Sequence, residues 1–177
     1  MRLQTTSGDL HLAPPTRRDT SALLDRAVRE AIPRRRGVEA WDTFLRAHAT
    51  LMRRLDSDLH AETGSGLNDF DVLAQVGTAG GSIRMTGLAE RVYSSRSGMT
   101  RRVDKLEREG LLCRAPAGAD GRGVEVALTD AGAKRLEELA RAHLRGVEEV
   151  FVSRLDDREL AALAHLLDKI CVETSFG

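Results

Sequence analysis

Aromatic side chains make up 3% of the 177 residues, too few to build a surface on which successive single-stranded bases stack. Two cysteines, Cys113 and Cys171, give neither a metal-binding spacing nor the paired framework of a disulfide-stapled secreted fold. No apolar run approaches the length needed to span a bilayer. The opening MRLQTTSGDLHLAPPTRR lacks the unbroken apolar stretch of a secretory signal, so a cytoplasmic location with no membrane partner is expected. His11, His48, His60, His143 and His165 are scattered without an HxxxH pair. A GxSxG elbow, a phosphate loop and a Gly-rich dinucleotide turn are all missing. No catalytic residue, metal ligand or cofactor is expected, and enzyme chemistry is the weakest functional class.

Net charge is missing too: 27 Lys/Arg balance 27 Asp/Glu. The balance is uneven along the chain. Residues 1–36 carry eight basic and four acidic groups, 37–90 four and eight, and the stretch after Gly123 seven and eleven. Between Arg91 and Arg114 there are seven basic and three acidic groups, a local excess of four. Phosphate attraction is screened over about 8 Å at physiological salt, so this local excess matters more than the total. Hydrophobic residues at 41% and charged residues at 31% suit a mainly α-helical domain.

Periodicity places the elements. Residues 1–36 read as an N-terminal arm with an extra helix at about 19–32, carrying Leu23, Leu24, Ala27, Val28, Ala31 and Ile32 as an apolar stripe. Pro33 and Arg34-Arg35-Arg36 follow. A helix from about 38 to 62 bears Trp41, Phe44, Leu45, His48, Leu51, Met52, Leu55 and Leu59 on one face, and Gly64 and Gly66 break it. Asn68 is placed to cap the next helix, and residues 83–85 form a short strand. Thr129 and Asp130 open a long helix to about 154, and Asp156 opens the last. These flanking helices, 37–66 and 129–177, read as a dimerisation region in a two-fold homodimer. The interface candidates are Leu144, Phe151, Leu160, Leu163, Leu167 and Ile170.

The stretch 67–128 reads as a winged helix-turn-helix. A short helix buries Leu88, Ala89 and Val92, and a polar turn holds Ser94 and Ser95. A second helix turns Met99, Val103 and Leu106 inward and Ser97, Thr100, Arg101 and Lys105 outward. Gly110 stands where a left-handed cap needs no β-carbon. Two short apolar runs then flank a loop around Asp120-Gly121-Arg122-Gly123, a hairpin wing. Cations mixed with Ser and Thr reach both phosphate oxygens and base edges. The double-stranded-DNA contact candidates are therefore Ser95, Arg96, Ser97, Thr100, Arg101, Arg102, Lys105 and the wing-tip Arg122. Arg101, Arg102 and Arg122 suit phosphates; Arg96, Ser97, Thr100 and Arg101 suit base edges.

The order AERVYSSRSGMTRRVDKLEREGLL, then a hairpin with Asp and Arg, then LTDAGAKRLEEL resembles the MarR family of bacterial transcriptional regulators, from about 38 to 170. The family's wing often carries paired arginines, and this wing is one arginine short. The resemblance implies a dimeric repressor on a pseudo-palindromic operator, released by a small anionic or phenolic effector. For an effector pocket it points to Trp41, His48, Phe70, Asp71, Arg102 and Arg114; Asp71, Arg102 and Arg114 align with an acid and two arginines of the urate-responsive branch. Two other readings compete. One is a metabolite-binding or protein-interaction module without strong DNA affinity. The other is a redox-responsive regulator, which requires Cys113 or Cys171 to be exposed and acidic.

Overall fold

A computed structural model describes residues 23, 25–28, 30–32, 35–91, 96–117 and 123–172, with the side chains of 35, 96, 97 and 172 left aside. The chain divides into two units between His48 and Ala49. In the first, 25–28 and 30–31 are helical, and Ile32 N–H donates to the Val28 carbonyl at 2.9 Å. The described part of the expected 19–32 helix is therefore present, and 19–22, 24 and 29 lie outside the described residues. Its Leu23 and Ile32 are exposed at 67% and 39%. Helix α1 (Arg35–Thr63) starts earlier than the periodicity suggests. Over its first-unit portion, Trp41, Phe44 and His48 stack in sequence with ring centroids 6.0 and 6.2 Å apart, all on an exposed face.

The second unit begins with the rest of α1, where Leu55 and Leu59 are buried. Helix α2 (Leu67–Thr78) is not capped by Asn68. The helix starts one residue before it, and Leu67 N–H donates instead to Asp56 Oδ1 of α1 at 2.7 Å. A neighbouring helix thus satisfies a donor that local side chains leave open. Strands β1 (Ser82–Arg84), β2 (Leu112–Pro116) and β3 (Val124–Leu128) form an antiparallel sheet in the order β1-β3-β2. Between β1 and β2 lie α3 (Met85–Arg91) and α4 (Arg96–Arg108). Leu88 of α3 is buried as expected, Ala89 is only half-buried, and Val92 lies outside the described residues.

The end of α4 and the start of α5 (Asp130–Val150) meet in one joint. Gly110 adopts φ +72°, and the N–H groups of Gly110 and Leu111 donate back to the carbonyls of Glu107 and Leu106, each at 2.9 Å, a left-handed C-terminal cap. Thr129 Oγ1 accepts from Gly132 N–H at 2.9 Å and donates to the Gly110 carbonyl at 2.7 Å. The Thr129 cap read from the sequence is therefore present, and it also ties two helices together. Helix α5 ends at Val150, before a 3-10 turn at Val152–Arg154 that the periodicity reads as more α-helix. Helix α6 (Asp157–Val172) opens with a reciprocal cap: Asp156 Oδ1 accepts from Arg158 and Glu159 N–H, while Glu159 Oε2 accepts from Asp156 N–H.

One core joins these parts. Leu59 of α1, Val72, Leu73 and Val76 of α2, Leu88 of α3, and Met99, Val103 and Leu106 of α4 cluster with Leu112, Val126, Leu139 and Ala142. Burying a large side chain of this kind is worth about 1.5–3 kcal/mol, so the three apolar residues of α4 fix its rotation firmly. His143 of α5 packs its ring 4.8 Å from Phe70. Burial holds its imidazole below the usual histidine range.

The joint leaves no room at Gly132, where an added Cβ would sit 1.9 Å from the Leu111 carbonyl oxygen. Gly132→Ala should therefore lower stability by roughly 3 kcal/mol or more, about 6–12 °C in Tm for a chain of this size. Calorimetry checks this, and an unchanged Tm would contradict the joint.

Candidate nucleic-acid interface

Helix α4 owes its outward face to what it buries. Met99 and Val103 are fully buried and Leu106 nearly so, a spacing of four and three that leaves the opposite side to solvent. Thr100, Arg101 and Arg108 lie on that exposed side. Arg96 and Ser97 occupy its first turn by backbone position. Ser95 and Arg122, the turn and wing-tip candidates, lie outside the described residues.

Two expected DNA contacts are turned elsewhere. Lys105 Nζ donates to Asp69 Oδ2 at 2.5 Å, and Arg102 meets Asp69 Oδ1 at 3.5 Å. The hydrogen bond it donates to Asp69 holds the Lys105 ammonium above its ordinary range, outweighing partial burial. Asp69 is 7% exposed, the buried charged residue of the described chain. Asp69 offsets one of these two positive charges, and Glu109 lies 3.8 Å from Lys105 as well. Asp69 is not among the residues singled out from the sequence. Its signal is spacing: Asp69 stands three, four and seven residues before Val72, Leu73 and Val76, on the stripe that faces the core. A depression of about 370 Å³ opens beside the pair, lined by Asp69, Gly98, Arg101, Arg102 and Lys105.

Arg114 of β2 is likewise engaged. It donates to Asp104 Oδ1 at 2.6 Å and to Glu107 Oε2, both on α4. Arg102, Lys105 and Arg114 are thus paired with carboxylates of the same unit.

The effector-pocket candidates are spread out. Trp41 and His48 belong to the first unit. In the second, Phe70 packs on His143, Arg102 turns to Asp69, and Arg114 turns to Asp104 and Glu107. Asp71 lines a separate depression of about 510 Å³ with Met52, Arg53, Asp56, Leu67, Asn68 and His143. The acid that meets Arg102 is Asp69, not Asp71, because two helical positions rotate a side chain about 200° around its axis. His143 Nδ1 is buried without a hydrogen-bond partner among the described residues. Cys113 is exposed, since strand alternation buries Leu112 and turns the next residue out. Cys171 is exposed as well.

Residues 64–123 match the family model described as MarR family. The HTH-type transcriptional repressor MdtR of Bacillus subtilis (strain 168) is 30% identical over 90 residues, covering 51% of this chain and 57% of that protein. The chain thus spans little more than half the length of that curated relative. AbsC, a MarR family transcriptional regulator from Streptomyces coelicolor, has a structure that aligns with a TM-score of 0.69 at 27% identity, covering 76% of this chain and 90% of that one. A mutant MarR from E. coli, solved in complex with operator DNA, aligns with a TM-score of 0.67 at 25% identity over 81% of this chain and 96% of that one.

Removing Asp69 has two expected effects of opposite kind. Asp69→Ala should cost about 1–3 kcal/mol, because Arg102 and Lys105 lose their acceptor, and lower Tm by several degrees. It should also raise affinity for random duplex, since the face of Arg102 and Lys105 then carries one negative charge fewer. Thermal melting and fluorescence anisotropy with a random duplex check this; unchanged values in both would sink the role given to Asp69.

Proposed function

We propose that this chain, which belongs to the MarR family, is a homodimeric, sequence-specific DNA-binding transcriptional regulator and not an enzyme. The observation that carries the reading is α4: pinned by three buried residues, exposing Thr100 and Arg101, and followed directly by an antiparallel hairpin. That is a helix for the major groove with a wing beside it. Base edges would be read by Arg96, Ser97, Thr100 and Arg101, and Arg122 at the wing tip would add a phosphate contact, with Ser95 in the turn before the helix. Arg102 and Lys105 would contribute mainly by holding the helix to α2.

Dimerisation is supported by apolar surface that one chain leaves in water. Trp41, Phe44 and Leu45 are exposed at 57%, 44% and 44%, and Leu144, Leu166 and Ile170 at 62%, 55% and 62%. Leu160, Leu163, Leu167 and Phe151 are half-buried beside them in sequence. A second copy covering such faces would set two reading helices about one DNA turn apart. A repressor would be released by a small anionic or phenolic effector. The depression lined by Arg53, Asn68, Asp71 and His143 supports that role, with His143 Nδ1 lacking a partner among the described residues. Regulation of this kind belongs in the cytoplasm.

A gel shift against the promoter of its own gene tests the reading. Arg101→Ala should weaken binding by about 1–3 kcal/mol and relax discrimination, while Arg122→Ala should weaken all sequences alike and shallow the salt dependence by about one counterion. Intact operator binding in both variants would remove the assignment of α4.

Assembly is tested separately. Leu163→Glu with Leu167→Glu should yield monomers, because each would leave an unpaired charge in an apolar seam. Sedimentation at micromolar concentration should find the wild type dimeric. A monomeric wild type, or a dimeric variant, would contradict the proposed interface.

A further inference from the structure

We propose that Arg114 is a positioning residue that straps the wing to the second half of the reading helix, and so sets which base pairs the two elements read together. The inference rests on the DNA-binding reading above. The guanidinium of Arg114 is mostly covered, with 26% of the side chain exposed. Its two terminal nitrogens reach separate carboxylates: Nη2 donates to Asp104 Oδ1 at 2.6 Å, and Nη1 to Glu107 Oε2. Asp104 and Glu107 are three residues apart and therefore neighbours on one face of α4. The fork of an arginine suits this geometry, because its donors lie in a rigid plane.

Charge tells what the group does not do. One cation against two carboxylates leaves a net charge of minus one, which repels a phosphate. Arg114 is therefore spent on those carboxylates and makes no direct phosphate contact. Its place in the fold tells what it does. Arg114 sits in the middle of β2, opposite Val126 of β3, so it grips α4 from the strand that carries the wing. The hairpin base is anchored at Leu111 and Leu112, and Arg114 adds a second point further along, which suppresses rotation of the wing about that base. Base-edge contacts require placement within roughly 0.5 Å, whereas long cationic side chains follow a phosphate through larger shifts. Loss of the strap should cost discrimination before it costs general affinity.

The test compares the full-length wild type with Arg114→Gln, Arg114→Lys and the double variant Asp104→Asn/Glu107→Gln. Each is titrated with operator and with random duplex over a salt series. Amide hydrogen exchange is followed in the DNA-free proteins. In Arg114→Gln, operator affinity should fall about tenfold, the loss of one well-read base pair, with random-duplex affinity within about twofold and the salt slope unchanged. Arg114→Lys should fall between. Exchange should quicken in β2 and the second half of α4 but not in α5. The double variant leaves Arg114 charged, so random-duplex affinity should rise while operator preference still drops; it decides the matter if Arg114→Gln does not fold. Equal weakening of both duplexes with a slope shallower by about one would make Arg114 a phosphate contact and overturn the proposal. So would operator preference unchanged in every variant. If the wild type binds no duplex, the DNA-binding reading fails and exchange alone decides: quicker exchange supports the strap, and unchanged exchange overturns it.

Discussion

The described second unit depends on the joint where the end of α4, the base of the wing and the start of α5 share hydrogen bonds within a few residues. Gly110 reverses the chain in a conformation that suits a residue without a β-carbon. Leu111 offers its carbonyl to Thr129 N–H, and Thr129 Oγ1 serves both the Gly110 carbonyl and Gly132 N–H. Leu112 pairs with Leu128 to close the hairpin at the same point. The space is so tight that Gly132 admits no side chain. A rotation of α5 therefore cannot leave α4 and the wing where they were. This gives the LTDAG stretch a mechanical meaning: its threonine is a shared cap and its glycine a close approach.

Electrostatics refine the picture drawn from composition. A neutral chain holds DNA only if its positive charge is gathered, and between Arg91 and Arg114 it is. Yet gathering does not amount to presenting. Asp69 takes part of the charge of Arg102 and Lys105, and Asp104 with Glu107 take that of Arg114. Asp69 is buried, whereas Arg102, Lys105 and the Arg114 cluster are half-buried and their pairs stabilise modestly; the directional effect of all of them is large. They turn cations that a charge count assigns to phosphate into fixings between α4, α2 and β2.

Local signals explain what was legible in the sequence. Apolar spacing in α4, the glycine after it and the threonine cap of α5 are each set by a few consecutive residues, and all three stand where periodicity puts them. The hairpin and its third strand follow for the same reason, to within a residue. What was not legible depends on partners far along the chain. Asp56 capping α2 spans eleven residues, and Asp69 holding Lys105 spans thirty-six. Nothing near Asn68 announces that its capping role has been taken, and Asp71 resembles Asp69 until the helix is built and the two face different ways. Exposure of Cys113 needed the register of β2. The apolar face around Trp41 was legible as a stripe, but a stripe names no occupant.

A constraint follows for any effector. A ligand shifts an equilibrium only as far as it binds one state better than another, so occupancy of a depression must alter something that α4 feels. The depression beside Asp71 is lined by Asp56 and Leu67, the two residues whose hydrogen bond starts α2. Asp69, which grips α4, lies in the first turn after that bond. A ligand competing for the Asp56 carboxylate would loosen the first turn of α2 and with it the anchor of Arg102 and Lys105. A ligand that left the bond intact would have to act through α5 and the Thr129 joint instead. The two routes differ at Asp69: the first loosens Arg102 and Lys105 from it and raises non-specific affinity, whereas the second displaces the helix with its charges still paired. Linkage requires either route to be reciprocal, so DNA whose binding the ligand weakens must weaken the ligand by the same factor.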